Sequence, residues 1–304
     1  MKKIYLFFSL ALAVLPSVGY SQYYWSRFTN HNEYIVGLGA SQFLGDLGGS
    51  STVGSHFLKD FNFSAIRYAF EGGYRYHISP TFCAKGMLTL GMVSGNDALS
   101  KEKFRHNRNL NFRSPIIELT GQFEYYFYKG KQVGHRYHIK HAKGFKKLDI
   151  TAYLFAGFGG FYFNPQGKYL NGAWYSLRPF STEGEGLPNG TQAYSRFSIC
   201  IPVGIGMKYS FNPQWSMGME ISDRIWTQSD FIDDTHNKYY DKATITAQRG
   251  PVAGYFADPS LGDIPAQTVT GQERGDPTHN DTYMFLYVTV SYTPPYHKRT
   301  RSKF

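Results

Sequence analysis

Strict two-residue alternation between positions 117 and 127 constrains this chain more than any other stretch. Ile117, Leu119, Gly121, Phe123, Tyr125 and Phe127 fall on one side, and Glu118, Thr120, Gln122, Glu124 and Tyr126 on the other. Side chains two apart share a face of a β-strand, so this is a strand with two unlike faces. One face is uncharged and gains aromatics toward its end. The other carries two carboxylates. A strand that crosses a bilayer with one side in lipid and the other in a narrow lumen needs that division.

Seven further segments alternate: 34–43, 65–76, 82–92, 150–162, 196–209, 215–226 and 283–292. In 65–76, Ile66, Tyr68, Phe70, Gly72, Tyr74 and Tyr76 oppose Arg67, Ala69, Glu71, Gly73 and Arg75. In 196–209, Phe197, Ile199, Ile201, Val203, Ile205 and Met207 oppose Ser198, Cys200, Gly204, Gly206 and Lys208. The two faces of 34–43 are less distinct. Ser79-Pro80 and Asn212-Pro213 make tight turns, whereas long connections (45–62, 94–108, 164–193 and 228–281) follow the first, third, fifth and seventh strands. This spacing predicts an all-β, eight-stranded antiparallel up-and-down transmembrane β-barrel with long extracellular loops, short periplasmic turns and periplasmic termini. One connection breaks the pattern: segment 129–147, on the periplasmic side, is long and basic. Loop 164–193, rich in Gly, Pro and Ser, reads as irregular. Loop 228–281 reads as strand-free except for a short hairpin arm at 242–248, and carries a surface acidic patch of Asp230, Asp233 and Asp234.

Composition agrees. With 25 Tyr and 25 Phe but a negative mean hydropathy, the chain has apolar side chains without a membrane-helix block after its start. Residues 1–21 have the form of a secretory signal: Lys2 and Lys3, an apolar run, then Gly19-Tyr20-Ser21. The barrel is expected over 22–296, and 297–304 forms a basic periplasmic tail. Cys83 and Cys200, far apart in different strands, read as small buried residues rather than a disulfide. The net charge of +10, in an exported chain, points to anionic headgroups or an acidic protein rather than nucleic acid.

An eight-stranded barrel with its faces reversed would be a soluble carrier. Against that, the charged face carries both signs: Arg67, Glu71, Arg75, Lys85, Glu118, Glu124, Lys208, Glu220 and Arg224. Such a set forms an ion-pair network inside a narrow lumen, where Gly and Ser on the same face fit the limited room. The network reads as a structural plug rather than a transport or catalytic site, and a lumen this narrow is no open porin. His135, His138 and His141 each have a Lys or Arg within two residues, which favours a solvated basic surface over a metal. Asp230, Asp233 and Asp234 lack the Gly and closing Glu of a calcium loop. His31, His77 and His106 have no serine partner assignable from sequence, and no hydrolase, phosphate-loop or paired-cysteine motif occurs. No cofactor, metal or catalytic residue is expected.

Three stretches, SQFLGDLGG (41–49), RNLNFRSPIIEL (108–119) and SDRIWTQSDFIDDTHNKYYD (222–241), together resemble the PorG-like outer-membrane barrel family of the Bacteroidetes type IX secretion system. The resemblance covers essentially the mature barrel. It implies a non-enzymatic barrel that ties the outer membrane to a periplasmic ring of PorK-like lipoprotein and PorN-like subunits. The residues themselves offer a contact surface for such a partner: Lys129, Lys131, Arg136, Lys140, Lys143, Lys146 and Lys147, with the tail on the same side. A surface adhesin or receptor, and a lipid-modifying barrel enzyme, are the rival functions.

Overall fold

In a computed structural model, residues 31–45, 47, 65–100, 102–129, 150–275 and 280–295 are described. The expectations for the signal segment, the basic residues from Lys131 to Lys147, the His135/His138/His141 group and the tail lie outside them.

Among the described residues ten strands form: β1 (Asn32–Leu44), β2 (Arg67–His77), β3 (Phe82–Asn96), β4 (Asn111–Lys129), β5 (Ile150–Phe163), β6 (Gln166–Lys168), β7 (Trp174–Ser176), β8 (Phe197–Ser210), β9 (Trp215–Thr227) and β10 (Thr282–Tyr292). Eight of them close a ring in the order β1-β2-β3-β4-β5-β8-β9-β10, every pair antiparallel. The seam runs from Tyr34↔Tyr292 to Leu44↔Thr282. The alternation read from sequence is the alternation of the wall. Val36, Leu38, Leu119, Phe158 and Phe197 are exposed outside, while Ile35, Glu118, Glu124, Tyr153 and Tyr287 are buried inside. No helix among the described residues is long and apolar enough to cross a membrane; the apolar outer band belongs to the strands, as in outer-membrane-type barrels.

Strands of this length outrun a hydrocarbon core of roughly 30 Å. β4, at 19 residues, carries the sheet beyond the belt at its loop end. There the lumen fills with an aromatic cluster of Phe43, Phe112, Phe161, Phe163, Tyr283 and Phe285, and the loops fold over it as a cap. The cap contains α1 (Lys103–Arg108), α2 (Lys242–Arg249) and α3 (Pro251–Ala257). α2 replaces the hairpin arm expected at 242–248. Asp241 caps its first turn, accepting from the amides of Ala243 and Thr244, and Gly250 ends it at φ 91°, a conformation glycine adopts without strain. Loop 164–193 is likewise not irregular throughout, because the β6–β7 hairpin joins β4 at Arg113↔Gln166.

Candidate functional site

The lumen holds most of the expected charges. Near the turn end, one guanidinium gathers three carboxylates. Arg75 Nη1 donates to Glu33 Oε1 at 2.9 Å, Nε and Nη2 face the two oxygens of Glu124 at 2.7 and 3.0 Å, and Nη2 reaches Glu220 Oε1 at 3.3 Å. Lys85 Nζ sits between Glu220 (2.7 Å) and Glu124 (3.3 Å), and Lys208 Nζ donates to both oxygens of Glu33 at 3.0 Å. His77 Nε2 lies 2.8 Å from Glu33 Oε2, and Tyr126 donates to Glu124. A second, separate layer lies toward the cap. Arg224 pairs with Glu118 through both Nε and Nη2, Tyr283 donates to Glu118 at 2.7 Å, and the guanidinium lies 4.3 Å from the centre of the Phe285 ring.

Two expected members behave differently. Arg67, eight residues from Arg75 along β2, pairs with none of these carboxylates among the described residues, and its Nη1 donates to the Ile66 carbonyl. Glu71 is buried in the lumen, but its Oε1 finds no hydrogen-bond partner among the described residues. Glu33 is the member missed from sequence. Its place one residue before Tyr34 gives it the inward parity of Ile35, and that was the available signal. Glycine makes room for the network: a Cβ at Gly206 would strike the Tyr153 ring, and one at Gly204 the Phe155 ring. Cys83 and Cys200 are separate buried thiols.

The acidic residues of the long loop are not a solvent-facing patch. Asp230, Asp233 and Asp234 are 5%, 2% and 1% exposed. Asp234 accepts from Thr182 Oγ1 at 2.6 Å and Tyr194 OH at 2.7 Å, and Asp230 pairs with His236. Arg274 neutralises this region, donating to Glu183 Oε1 at 2.9 Å and to the Asp234 carbonyl at 2.7 Å. Its own carbonyl accepts from Arg108, which is held by Asp97 at 2.7 and 3.1 Å. Three loops are thus tied at one place. Burial, then the nearby Asp234 and Glu183, push the Glu185 carboxyl up to about 8. Burial likewise raises Asp234 to about 6, although Arg274 opposes it. Taking charge out of water is costly, so burial favours the protonated form of both acids.

Two kinds of work follow from this geometry. The lumen network braces strands against each other; the cap closes the outer end and presents a folded surface. No group of three or more His, Cys, Asp or Glu among the described residues could hold a metal ion. At the other end, Lys129 is the described start of the basic segment, its Nζ 5.6 Å from the centre of the Tyr126 ring.

The solved structures to which the chain is similar include small barrels. Ail, the attachment invasion locus protein of Yersinia pestis, solved in complex with the heparin analogue sucrose octasulfate, shares 8% identity, covers 88% of this chain and 99% of its own, and gives a TM-score of 0.36. Neisserial surface protein A shares 11% identity over 86% and 96% of the two chains, with a TM-score of 0.33. The N-terminal β-barrel domain of Pseudomonas aeruginosa OprF shares 10% over 87% and 98%, at 0.29. At such values these likenesses carry no argument about function. No curated protein matches the sequence. A family model described as "Domain of unknown function (DUF6089)" does match, over residues 21–248. With that span lying under one model out of 304 residues, the chain belongs to the DUF6089 family.

Proposed function

We propose that this protein is a non-enzymatic barrel of the outer membrane that anchors a periplasmic ring complex of the type IX protein secretion system, in the manner of the PorG-like proteins it resembles. The filled lumen carries this reading. Arg75, Lys85, Glu124 and Glu220 bridge the turn half, and Arg224, Glu118 and the aromatic cluster occupy the loop half. A barrel of eight strands packed in this way offers no solute path. What it contributes is a fixed position in the membrane and two unlike ends.

The periplasmic end carries Lys129, Lys131, Arg136, Lys140, Lys143, Lys146 and Lys147 on one connection. An acidic surface on PorK-like lipoprotein or PorN-like subunits is its electrostatic complement. Crosslinking mass spectrometry on intact outer membranes tests the reading, paired with pull-down of a variant in which Lys140, Lys143, Lys146 and Lys147 are changed to Gln. Crosslinks from this segment to ring subunits, and their release from the variant, are expected. Ring subunits that co-purify unchanged with the variant overturn it.

The folded cap favours a second reading, a surface adhesin or receptor. Under it, removing 228–281 abolishes attachment to target cells, and the lysine variant attaches as well as the parent.

A further inference from the structure

At its loop end, β4 continues its outward face above the apolar belt. Phe123, Leu119 and Ile117 are exposed on that face, and Pro115, Arg113 and Asn111 follow at the same parity. Arg113 lies directly opposite Gln166 of β6, and Lys168, two residues on, lies opposite Trp174 of β7. Residues directly opposed, or two apart on one strand, share a face. Arg113, Gln166, Lys168 and Trp174 therefore form one surface continuous with the lipid-facing wall. The hairpin's other face turns into the cap, where the Tyr175 ring lies 6.2 Å from Phe256 and a Cβ on Gly167 would strike that same Phe256.

The site is held in place. The Arg113 guanidinium stacks over Trp174 at 4.3 Å, its Nε donates to Gln166 Oε1 at 2.9 Å, and the Lys168 amide donates to Asn111 Oδ1 at 2.8 Å. Lys168 is exposed, and Arg113 and Trp174 are half-buried. Neither cation forms an ion pair with a carboxylate among the described residues. Just below, Ile117 is paired with Tyr162, whose ring lies 5.1 Å from that of Phe197, which is 73% exposed. Aromatics of this kind mark the membrane–water interface, so the two cations stand at headgroup height.

We propose that Arg113, Lys168 and Trp174 form a binding site for the phosphate of a glycolipid in the outer leaflet. The proposal rests on the outer-membrane placement given above. Stacking uses one face of the Arg113 guanidinium and the Gln166 bond uses its Nε; the two Nη groups are the fork that suits a phosphate, and Lys168 adds a point charge. Acyl chains would then run down past Ile117 and Tyr162.

Native mass spectrometry of the full-length protein tests this with bisphosphorylated lipid A, dephosphorylated lipid A and inorganic phosphate as probes. Each cation near a headgroup contributes about fivefold in affinity, so the Arg113→Gln, Lys168→Gln double variant should hold bisphosphorylated lipid A roughly 25-fold more weakly. Dephosphorylation should cost the parent protein a similar factor, Arg113→Lys should fall between, and millimolar phosphate should not displace the lipid. Equal retention by parent and double variant, or indifference to dephosphorylation, overturns the proposal. Displacement by inorganic phosphate assigns a free-anion site and overturns it too. Heat-dependent gel mobility reports whether each variant is folded; if the double variant is not, Lys168→Gln alone, at an exposed position, carries the test. Fractionation of the parent chain is scored separately, so a wrong location is distinguished from a missing site.

Discussion

Lys85 Nζ and Glu220 Oε2 lie 2.7 Å apart across the lumen, joining β3 and β9, which stand diametrically opposite in the eight-stranded ring. No ladder hydrogen bond connects those strands, so the pair is a cross-brace. Removing one partner leaves the other as a buried charge, a loss of about 3–5 kcal/mol. Lys85→Met should lower the unfolding midpoint in urea, read by heat-dependent gel mobility, and Lys85→Met with Glu220→Leu should recover much of the loss.

Conductance offers a second check. The parent barrel in a planar bilayer should show no steady current, because Arg75 and its three carboxylates fill the turn half. Replacing Arg75, Lys85, Glu124 and Glu220 by Ser should produce brief, ion-permeable openings. Quiet traces from a folded variant would mean that the aromatic cluster alone seals the lumen.

Gly206 predicts a steric failure. A Cβ there meets Tyr153, whose ring is already packed against Tyr126 at 5.0 Å between centroids. Gly206→Val should cost about 1–3 kcal/mol through overpacking and slow refolding into detergent. Val at Gly121, whose Cβ would meet nothing within 4 Å, should be tolerated.

The cap should loosen as pH rises. Glu185 is raised to about 8 in the folded chain, against about 4.3 when unfolded. Below both values the acid is protonated in either state and its full contribution is present. Between them only the folded cap keeps the proton, so stability falls with increasing pH until about 8 and is then level. Hydrogen-exchange protection over 181–190, corrected for the intrinsic pH dependence of exchange, should be lower at pH 8 than at pH 5. Glu185→Gln should flatten that dependence and raise protection at pH 8.

Arg274→Gln tests the cap's wiring. It would leave Glu183 buried without its cation, costing about 3 kcal/mol or more locally, and limited proteolysis between 228 and 275 should then proceed while the barrel stays resistant.

All eight barrel strands were legible in the sequence because lipid and lumen impose opposite demands on alternate residues. That pressure fades at the rims. Glu33 sits where β1 begins, and Gly37 and Gly39 blur the alternation that would have marked its face. α2 was misread because Thr244, Ile245 and Thr246 alternate like a strand, although Asp241 and Gly250 supply the helix caps. Asp234 looked like part of a surface patch because its partners, Thr182, Tyr194 and Arg274, lie 40 or more residues away. Local pattern carries no trace of such pairings. Arg113 and Lys168 come together in the same hidden way, through a hairpin that composition alone disguised as an irregular loop.

The length of β4 has a mechanical consequence. It is laced to β3 from Phe82↔Tyr125 to Asn96↔Asn111 and to β5 along its other side, and it runs straight into the basic segment at Lys129. A load applied to that segment acts along the strand axis, so it shears long ladders of hydrogen bonds together instead of peeling them one at a time. A tether hung from this point is attached where the barrel resists pulling best.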